Sequence, residues 1–398
     1  MKYRKEVSSK GRYRRNKLDA QIRRRGPSVA KIMLVLLDED AYFGEMLSAY
    51  VRSSEYAERF SIRVFTSMGE GVRFVEQNKE PLIIMVHESL MPLPDAVFGL
   101  KPGCTVMISD SAREGGLLEY PIMFKYQPLD RLLSGITAHY NEFCAGEPLR
   151  GNRGAKTVAV YSAVGGAGKT VTAVHLAYQL AQQGERVFCL GLELLPSRAW
   201  YVQDGPGEAE SFSQLLYYAK TAPTLISSKL EGLKRKHPDC KFDYVPPSMH
   251  LKELAEMEAS DLKHILQGIE STRMYDRIVI DLDSMPHAAT REALQAADLV
   301  LWLLLDDCVH LSKNAELLRS WTAGERTTDW LHRVRFVHNK NAGQTVNRFE
   351  TYGFAHSSEL PYVPEWKGVG RVEDMMSPVF ALAAAGLVRA GEEGSRYR

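Results

Sequence analysis

A glycine-rich segment, Ala163–Thr170 (AVGGAGKT), contains the residue types that most directly indicate a chemistry. Its three glycines, Gly165, Gly166 and Gly168, allow backbone N–H groups to turn inward around phosphate oxygens. The Lys169 ammonium suits the β- and γ-phosphates of a nucleotide, and the Thr170 hydroxyl suits Mg²⁺. The segment, with Ala167 and Val171 beside these residues, therefore predicts a site for a nucleoside triphosphate and Mg²⁺.

The flanking sequence supplies the elements that position such a loop. Thr157–Ser162 (TVAVYS) is a short, β-rich apolar run, and Thr172–Gln183 (TAVHLAYQLAQQ) has apolar residues at helical spacing. Strand, glycine loop and helix in this order favour phosphate binding, because the helix N-terminus adds a favourable dipole. A glycine turn without a nucleotide is the alternative, and the Gly-Lys-Thr ending argues against it.

The loop differs from the strict pattern G-x-x-x-x-G-K-T, which has glycine where this chain has Ala163. Its doubled glycine resembles the deviant loop, K-G-G-x-G-K-T, of the ParA/MinD family of dimeric ATPases. The resemblance extends over residues 156–390. It is carried by further segments in family order, namely RVFCLGLE ending at Glu193, MYDRIVID ending at Asp281, ADLVL at 297–301, FVHNK with Asn339, and LPY with Pro361.

The resemblance implies a role for each of these side chains, with ATP and Mg²⁺ as cofactors. Asp281 ends the Walker B strand and would partner Mg²⁺ through water. Asn339 would pair its amide with the adenine edge, against a turn that contains Pro361. Glu193 is the candidate for positioning the attacking water, and with Lys169 it forms the predicted catalytic pair. A structural carboxylate near Mg²⁺ is the alternative for Glu193.

Val164 stands where the family has its signature lysine, which reaches across an ATP-bound dimer to the partner's phosphate. Valine brings no charge, so either another group supplies it or hydrolysis is slow. Binding does not depend on that lysine, because Lys169 and the backbone amides are present. The resemblance thus implies an ATP-dependent homodimer with weak ATPase activity. A scaffold that binds ATP without hydrolysing it is the alternative.

Residues 30–145 alternate apolar strand patterns with helical stretches. The strand patterns occupy residues 31–37, 61–65, 82–86, 105–108 and 122–124. Such alternation predicts a parallel sheet covered on both faces. The fold class predicted for the chain is therefore α/β, with a flavodoxin-like domain followed by a P-loop NTPase domain whose doubly wound sheet is mainly parallel.

This N-terminal segment resembles a response-regulator receiver domain. Asp38-Glu39-Asp40 ends its first strand, and Lys125 follows the fifth, where receivers keep a lysine. The third strand, however, leads into His87 and Glu88 where a receiver has its phospho-acceptor aspartate, and an acyl phosphate requires a correctly placed carboxylate. The segment is therefore interpreted as a pseudo-receiver that docks a partner or dimerises. Residual phospho-chemistry is the alternative.

Composition marks the boundaries between these parts. Residues 1–28 are interpreted as a basic disordered tail, with a weak tether to lipid head groups or nucleic acid as the alternative. Residues 29–146 form the receiver-like domain, 147–155 a Gly- and Arg-rich linker, and 156–398 the ATPase domain. Within the last of these, Lys234-Arg235-Lys236 is interpreted as an exposed helix end, and a binding patch is the alternative.

Bulk properties exclude several classes of protein. The net charge of +1 gives no general attraction to nucleic acid, and residues 365–398 lack a basic cluster for DNA. No run of about 18 apolar residues occurs, so membrane contact is expected only peripherally or through partners. Five scattered cysteines predict neither a zinc site nor a disulfide framework, and they fit a reducing cytoplasm.

The domain order resembles that of the CpaE/TadZ proteins, which place and help assemble Tad (Flp) type IV pilus or secretion machinery. Phe124-Lys125-Tyr126-Gln127, Leu192-Glu193 and the non-lysine Val164 resemble Gram-positive members of that group. The expected partners are a second copy of the chain and proteins of such machinery, with no specific nucleic acid. A partition or site-placement ATPase acting on DNA or membrane is the alternative.

Overall fold

The computed structural model describes residues 31–78, 80–91, 104–111, 120–143, 149–196, 210–247, 250–323, 329–355, 358–368 and 373–395. The chain divides into two compact units, residues 1–152 and 153–398, and the division falls within the segment predicted as a linker. The tail predicted for residues 1–28 lies outside the described residues. The described residues form one five-stranded and one eight-stranded sheet.

The first unit is built on a parallel sheet with the strand order β2-β1-β3-β4-β5. This is the flavodoxin-like order, so the predicted fold class of this unit is confirmed. Each predicted strand begins and ends within two residues of the observed one. The observed strands are β1 (Ile32–Leu37), β2 (Phe60–Phe65), β3 (Leu82–His87), β4 (Cys104–Ser109) and β5 (Ile122–Phe124).

Three described helices cover the two faces of this sheet, namely α1 (Ala41–Ser53), α2 (Met68–Gln77) and α3 (Leu129–Phe143). Helix α1 begins after Asp40, whose carboxylate accepts a hydrogen bond from Phe43 N at 3.0 Å. Helices α1 and α3 contribute to the apolar cluster on one face and α2 to that on the other. Because both faces are covered, the strands read as continuous apolar runs.

The second unit is built on the order β13-β12-β11-β6-β10-β7-β9-β8, in which only β8 and β9 pair antiparallel. The predicted mainly parallel, doubly wound sheet is therefore confirmed. Its strands are β6 (Lys156–Tyr161), β7 (Val187–Leu192), β8 (Arg235–Lys236), β9 (Asp243–Tyr244), β10 (Arg277–Leu282), β11 (Leu299–Leu304), β12 (Val334–Asn341) and β13 (Ser358–Pro361).

Helices pack on both faces of this sheet. The helix that follows the glycine loop and the last described helix contribute to one apolar cluster, and the other described helices of this unit contribute to the other. No helix in the described part of the chain combines the length and apolar character needed to cross a membrane. The helices are α4 (Lys169–Gln182), α5 (Ser211–Thr221), α6 (Ile226–Leu233), α7 (Leu251–Ala255), α8 (Ala259–Ser271), α9 (Ala288–Ala296), α10 (Cys308–Thr322) and α11 (Pro378–Ser395).

The interpretation of Lys234 as part of an exposed helix end is wrong. Its side chain is buried, and Nζ lies 2.8 Å from Asp243 Oδ2 and 3.3 Å from Glu231 Oε2. The Tyr275 hydroxyl donates a further hydrogen bond to Asp243 at 2.9 Å. Asp243 comes close because β8 and β9 form an antiparallel pair, and that pairing is not visible in the run of three basic residues.

Candidate nucleotide-binding site

The glycine loop connects β6, a central strand of the second sheet, to α4. Parallel strands bring their carboxyl ends to one edge, so the loop lies beside the ends of β7, β10, β11 and β12. Gly166 and Gly168 have φ values of +74° and +89°, in the left-handed region that glycine adopts without steric cost. Helix α4 starts at Lys169, three residues before the helical pattern predicted at 172–183, so its N-terminus lies directly at the loop.

Gly168 is also the point where β12 approaches the loop most closely. A Cβ atom at this position would lie 2.5 Å from Asn339 Nδ2. We therefore expect Gly168→Ala to destabilise the second unit by at least about 2 kcal/mol, because it combines a positive φ with a steric clash. All five tryptophans (200, 302, 321, 330 and 366) belong to this unit, so urea unfolding followed by tryptophan fluorescence measures the effect.

Gly165→Ala is the matched control for this prediction. A Cβ at Gly165 meets no heavy atom within 4 Å, and its φ is not positive. We expect the free energy of unfolding of this variant to lie within about 0.5 kcal/mol of that of the wild type. Equal unfolding curves for Gly168→Ala and the wild type would contradict the close approach of β12.

The predicted cationic residue of the loop is held in place by β10. Lys169 is only 6% exposed, and its Nζ donates a hydrogen bond of 2.7 Å to Ser284 Oγ, just beyond the end of β10. A short polar contact of this kind holds the ammonium at the loop in the absence of phosphate. Ser284 has no sequence signature, and the prediction from sequence did not include it.

The predicted Mg²⁺ partner is the most unusual polar group in the site. Asp281 is 0% exposed, and neither of its carboxylate oxygens has a hydrogen-bond partner among the described residues. Burial and then the nearby Glu193 carboxylate raise the pKa of Asp281 well above its ordinary value, against the Thr170 hydroxyl and the charge of Lys169, which act in the opposite direction. A buried carboxylate without a donor fits a position completed by a cation and its bound water.

Glu193, which follows β7, lies in the same acidic group. Burial raises its pKa, while a hydrogen bond from Thr170 and the charge of Lys169 act in the opposite direction. Asp283 connects the loop after β10 to the loop after β7, because its carboxylate accepts hydrogen bonds from Met285 N and Leu194 N, both at 3.0 Å. The structure thus brings the predicted residues Lys169, Thr170, Glu193 and Asp281 into one place.

The predicted base-reading residue reaches the loop from β12. Asn339 is buried, and its Nδ2 donates a hydrogen bond of 2.7 Å to Ala167 O. Its Oδ1 has no partner among the described residues and is therefore available as an acceptor for a ligand N–H. Pro361, at the end of β13, pairs with Asn341 at the same edge. Lys340 also touches the loop, with its Nζ 2.7 Å from Gly166 O.

Helix α10 supports the start of the loop through two buried polar residues. Asn314 Oδ1 accepts hydrogen bonds from Ala163 N at 3.0 Å and from Trp302 Nε1 at 2.7 Å. His310 Nδ1 lies 3.0 Å from Asn314 Nδ2, which is a donor, and its Nε2 lies 3.3 Å from Ser162 Oγ. These contacts assign the neutral Nε2–H tautomer.

Burial lowers the pKa of His310 to about 4, so the ring stays neutral at pH 7. Neither His310 nor Asn314 was predicted from sequence. Their only signal is a spacing of four residues, which places them on one face of α10. Their contact with the loop depends on how α10 packs.

The first unit has its own charged cluster at the carboxyl edge of its sheet. Lys125 Nζ lies 2.8 Å from Asp38 and 3.0 Å from Asp40. Burial opposes the charged form, but the hydrogen bonds that the ammonium donates to both carboxylates outweigh it and raise the pKa of Lys125. His87 Nε2 lies 3.1 Å from Asp110, and Glu88 accepts a hydrogen bond of 2.7 Å from Ser109 Oγ. The Lys125 ammonium therefore lies between the carboxylates of Asp38 and Asp40.

Comparison with known proteins is consistent with this arrangement. The family model described as an AAA domain matches residues 155–313, which include the loop, Glu193 and Asp281. No curated protein matches the chain.

Several solved structures are similar to part of this chain. The cell division ATPase MinD of Pyrococcus furiosus is 14% identical, with 59% of this chain and 98% of that one covered and a TM-score of 0.45. A ParA family ATPase from Chlorobium tepidum is 15% identical, with coverages of 60% and 92% and a TM-score of 0.45. Cobyrinic acid a,c-diamide synthase from Mycobacterium smegmatis, with bound ADP and magnesium, is 16% identical, with coverages of 60% and 96% and a TM-score of 0.44. Sequence identities and TM-scores this low assign neither an activity nor a partner to the chain.

Proposed function

We propose that the second unit binds MgATP and hydrolyses it slowly, in the manner of the ParA/MinD family. The observation that carries this proposal is the buried, unpartnered carboxylate of Asp281 beside the glycine loop and Lys169. Thr170 would hold Mg²⁺ directly and Asp281 would hold it through water. When bound, Mg²⁺ neutralises charge on the phosphates.

Each of the other site residues has a defined task in this proposal. The backbone amides of the loop and the Lys169 ammonium bind the phosphates. Asn339 accepts an N–H of adenine at the free Oδ1 while its Nδ2 holds Ala167 O. Glu193 orients the attacking water, and its raised pKa makes it a better proton acceptor than an ordinary carboxylate.

Slow turnover follows from the charges of the loop. Residues 163–170 contain a single cation, Lys169, because Val164 is apolar. Stabilisation of the transition state in phosphoryl transfer depends on positive charge around the phosphates. Isothermal titration with MgATP, followed by steady-state phosphate release, tests the proposal. Binding with no turnover at all would favour the alternative of an ATP-bound scaffold, and no binding would reject the site.

We further propose that the edge containing the loop is where two copies meet when ATP is bound. Four large apolar side chains are exposed at this edge, three on loops and one in the first turn of α10, and such a group is typical of an interaction surface. They follow β7, β10, β11 and β12 and are Leu195 (76% exposed), Met285 (52%), Val309 (57%) and Val346 (87%).

Leu195→Asp is expected to weaken the ATP-bound dimer by at least about tenfold, because it places a charge in an apolar contact. Sedimentation velocity with a non-hydrolysable ATP analogue measures the monomer–dimer ratio. Leu251→Asp, at a leucine that is 49% exposed on α7, is the matched control and should dimerise as the wild type does. A wild-type chain that stays monomeric with the analogue would reject the proposed dimer.

At the level of the cell, we propose a positioning or assembly factor for Tad/Flp pilus or secretion machinery, as in CpaE/TadZ proteins. Two observations support this: the flavodoxin-like order of the first sheet, and the His87-Glu88 pair where an acceptor aspartate would stand. The first unit would then act as a docking module. Neighbouring genes for a secretion ATPase and pilin-like proteins are expected, and neighbouring partition-site genes would instead favour a partition ATPase.

A further inference from the structure

Lys340 contacts the glycine loop although its position in β12 would not normally allow it. Successive residues of a regular strand point to opposite faces of a sheet. Asn339 and Lys340 nevertheless bond to consecutive carbonyls of one loop, Ala167 O and Gly166 O, both at 2.7 Å.

A local distortion of β12 makes this double contact possible. The pairing register between β12 and β13 shifts between His338 and Asn341, and Lys340 has a φ of +57°. A positive φ is uncommon for a residue with a side chain, and such irregularities in strands re-aim side chains. Strained conformations of this kind persist where the surrounding structure holds them and are found preferentially at binding sites.

The contact brings a second cation to a loop that has only one. Lys169 is buried against Ser284, whereas Lys340 is exposed at the rim and reaches the outward-facing carbonyl of Gly166. Gly166 is one of the two loop glycines with positive φ, so its carbonyl direction decides where the neighbouring N–H groups point. An ammonium at this carbonyl both fixes the loop and adds positive potential to a phosphate site.

We propose that Lys340 is a positioning residue of the nucleotide site whose charge strengthens the binding of MgATP. It acts through the Gly166 carbonyl and through its electrostatic potential. This inference rests on the proposed MgATP site and adds to it a residue that the glycine-loop pattern does not contain.

A series of substitutions separates the charge of Lys340 from its hydrogen bond. Lys340→Met keeps an apolar stem, Lys340→Gln keeps an N–H donor without charge, and Lys340→Arg keeps the charge. We expect the Kd for MgATP, measured by isothermal titration on the full chain, to rise about tenfold in Lys340→Met and Lys340→Gln. Lys340→Arg is expected to stay within about threefold of the wild type, since it retains a charged donor.

The decisive comparison is between Lys340→Gln and Lys340→Arg, because both keep an N–H donor and only Lys340→Arg keeps the charge. A Lys340→Arg variant that binds as weakly as Lys340→Gln overturns the proposal, because charge would then not be what Lys340 contributes. Wild-type affinity in Lys340→Gln also overturns it, because the hydrogen bond alone would then suffice.

Two further measurements make each result interpretable. Tryptophan fluorescence during urea unfolding shows whether a variant is folded. If Lys340→Met is destabilised, the comparison of Lys340→Gln with Lys340→Arg still shows whether the charge of Lys340 contributes to MgATP affinity. Salt screens the attraction between the cations of the site and the phosphates, so the Kd rises with salt concentration. Because Lys340→Gln has one cation fewer, we expect its Kd to rise less steeply with salt than that of the wild type. A wild-type chain that binds no MgATP would reject both the proposed function and this inference, whereas wild-type binding with an unchanged Lys340→Met rejects the inference alone.

Discussion

Lys169→Ala is expected to weaken MgATP binding by at least about 100-fold. Hydrogen bonds to charged groups contribute roughly 1.5–3 kcal/mol each, and the Lys169 ammonium would donate more than one of them to the phosphates. The substitution also removes the contact with Ser284 Oγ that holds the ammonium at the loop. Isothermal titration gives the affinity directly, and phosphate release is expected to fall to background.

The control for this prediction is Lys263→Ala, which removes an exposed lysine of α8. Its Kd is expected to match that of the wild type, so that a general loss of positive charge is excluded as the cause. Tryptophan fluorescence verifies that the second unit of each variant is folded. Unchanged affinity in folded Lys169→Ala would place the nucleotide elsewhere and remove the basis for the whole site.

Asp281→Asn is expected to change stability and ligand binding in opposite directions. In the absence of ligand, the wild-type carboxylate is fully buried without a hydrogen-bond donor, and a neutral amide is less costly to bury. At pH 7, we expect the free energy of unfolding of the variant to be about 1–3 kcal/mol higher than that of the wild type. With MgATP present, the wild type should gain more stability than the variant, because the variant lacks the negative charge that holds the hydrated Mg²⁺.

The pH dependence of stability gives this prediction a second test. The pKa of Asp281 is raised on folding, so the folded chain binds its proton more tightly than the unfolded chain. The corresponding stability is fully present below the ordinary pKa of an aspartate and is lost as pH rises through the raised value. Asp281→Asn should therefore show a smaller loss of stability between pH 4 and pH 7 than the wild type.

A variant that is less stable than the wild type without ligand would contradict the absence of a hydrogen-bond partner for Asp281. A variant that keeps the full gain from MgATP would contradict its role toward Mg²⁺. Glu193→Gln is an informative comparison, because it removes the carboxylate that helps to raise the pKa of Asp281 while leaving the Walker B position intact.

The sequence was sufficient for the parts of the site that depend on local pattern. The glycine loop, the strand before it and the helix after it are contiguous, so spacing and residue type determine them. The ends of β7 and β10 were found for a related reason: an apolar run of about six residues that ends in an acidic residue marks both the strand and its carboxyl end.

Residues that complete the site through packing were not found. Ser284 and Asn314 contact the loop, and His310 contacts Ser162 directly before it, only because β10 and α10 bring them there. Lys340 depends on an irregularity in β12, and no run of residue types predicts a positive φ at a lysine. Lys234 was wrongly predicted to be exposed. The pairing of β8 with β9 brings Asp243 close to it, and the two side chains form a buried ion pair.

The lysine of the first unit has a consequence for the charge at that edge of its sheet. Lys125 provides a covalently attached positive charge between Asp38 and Asp40, so one of their two negative charges is offset without any added cation. Asp110, whose carboxylate lies 3.9 Å from the same ammonium, adds a third negative charge. These four side chains therefore carry a net negative charge, which favours contact with a basic surface over an acidic one.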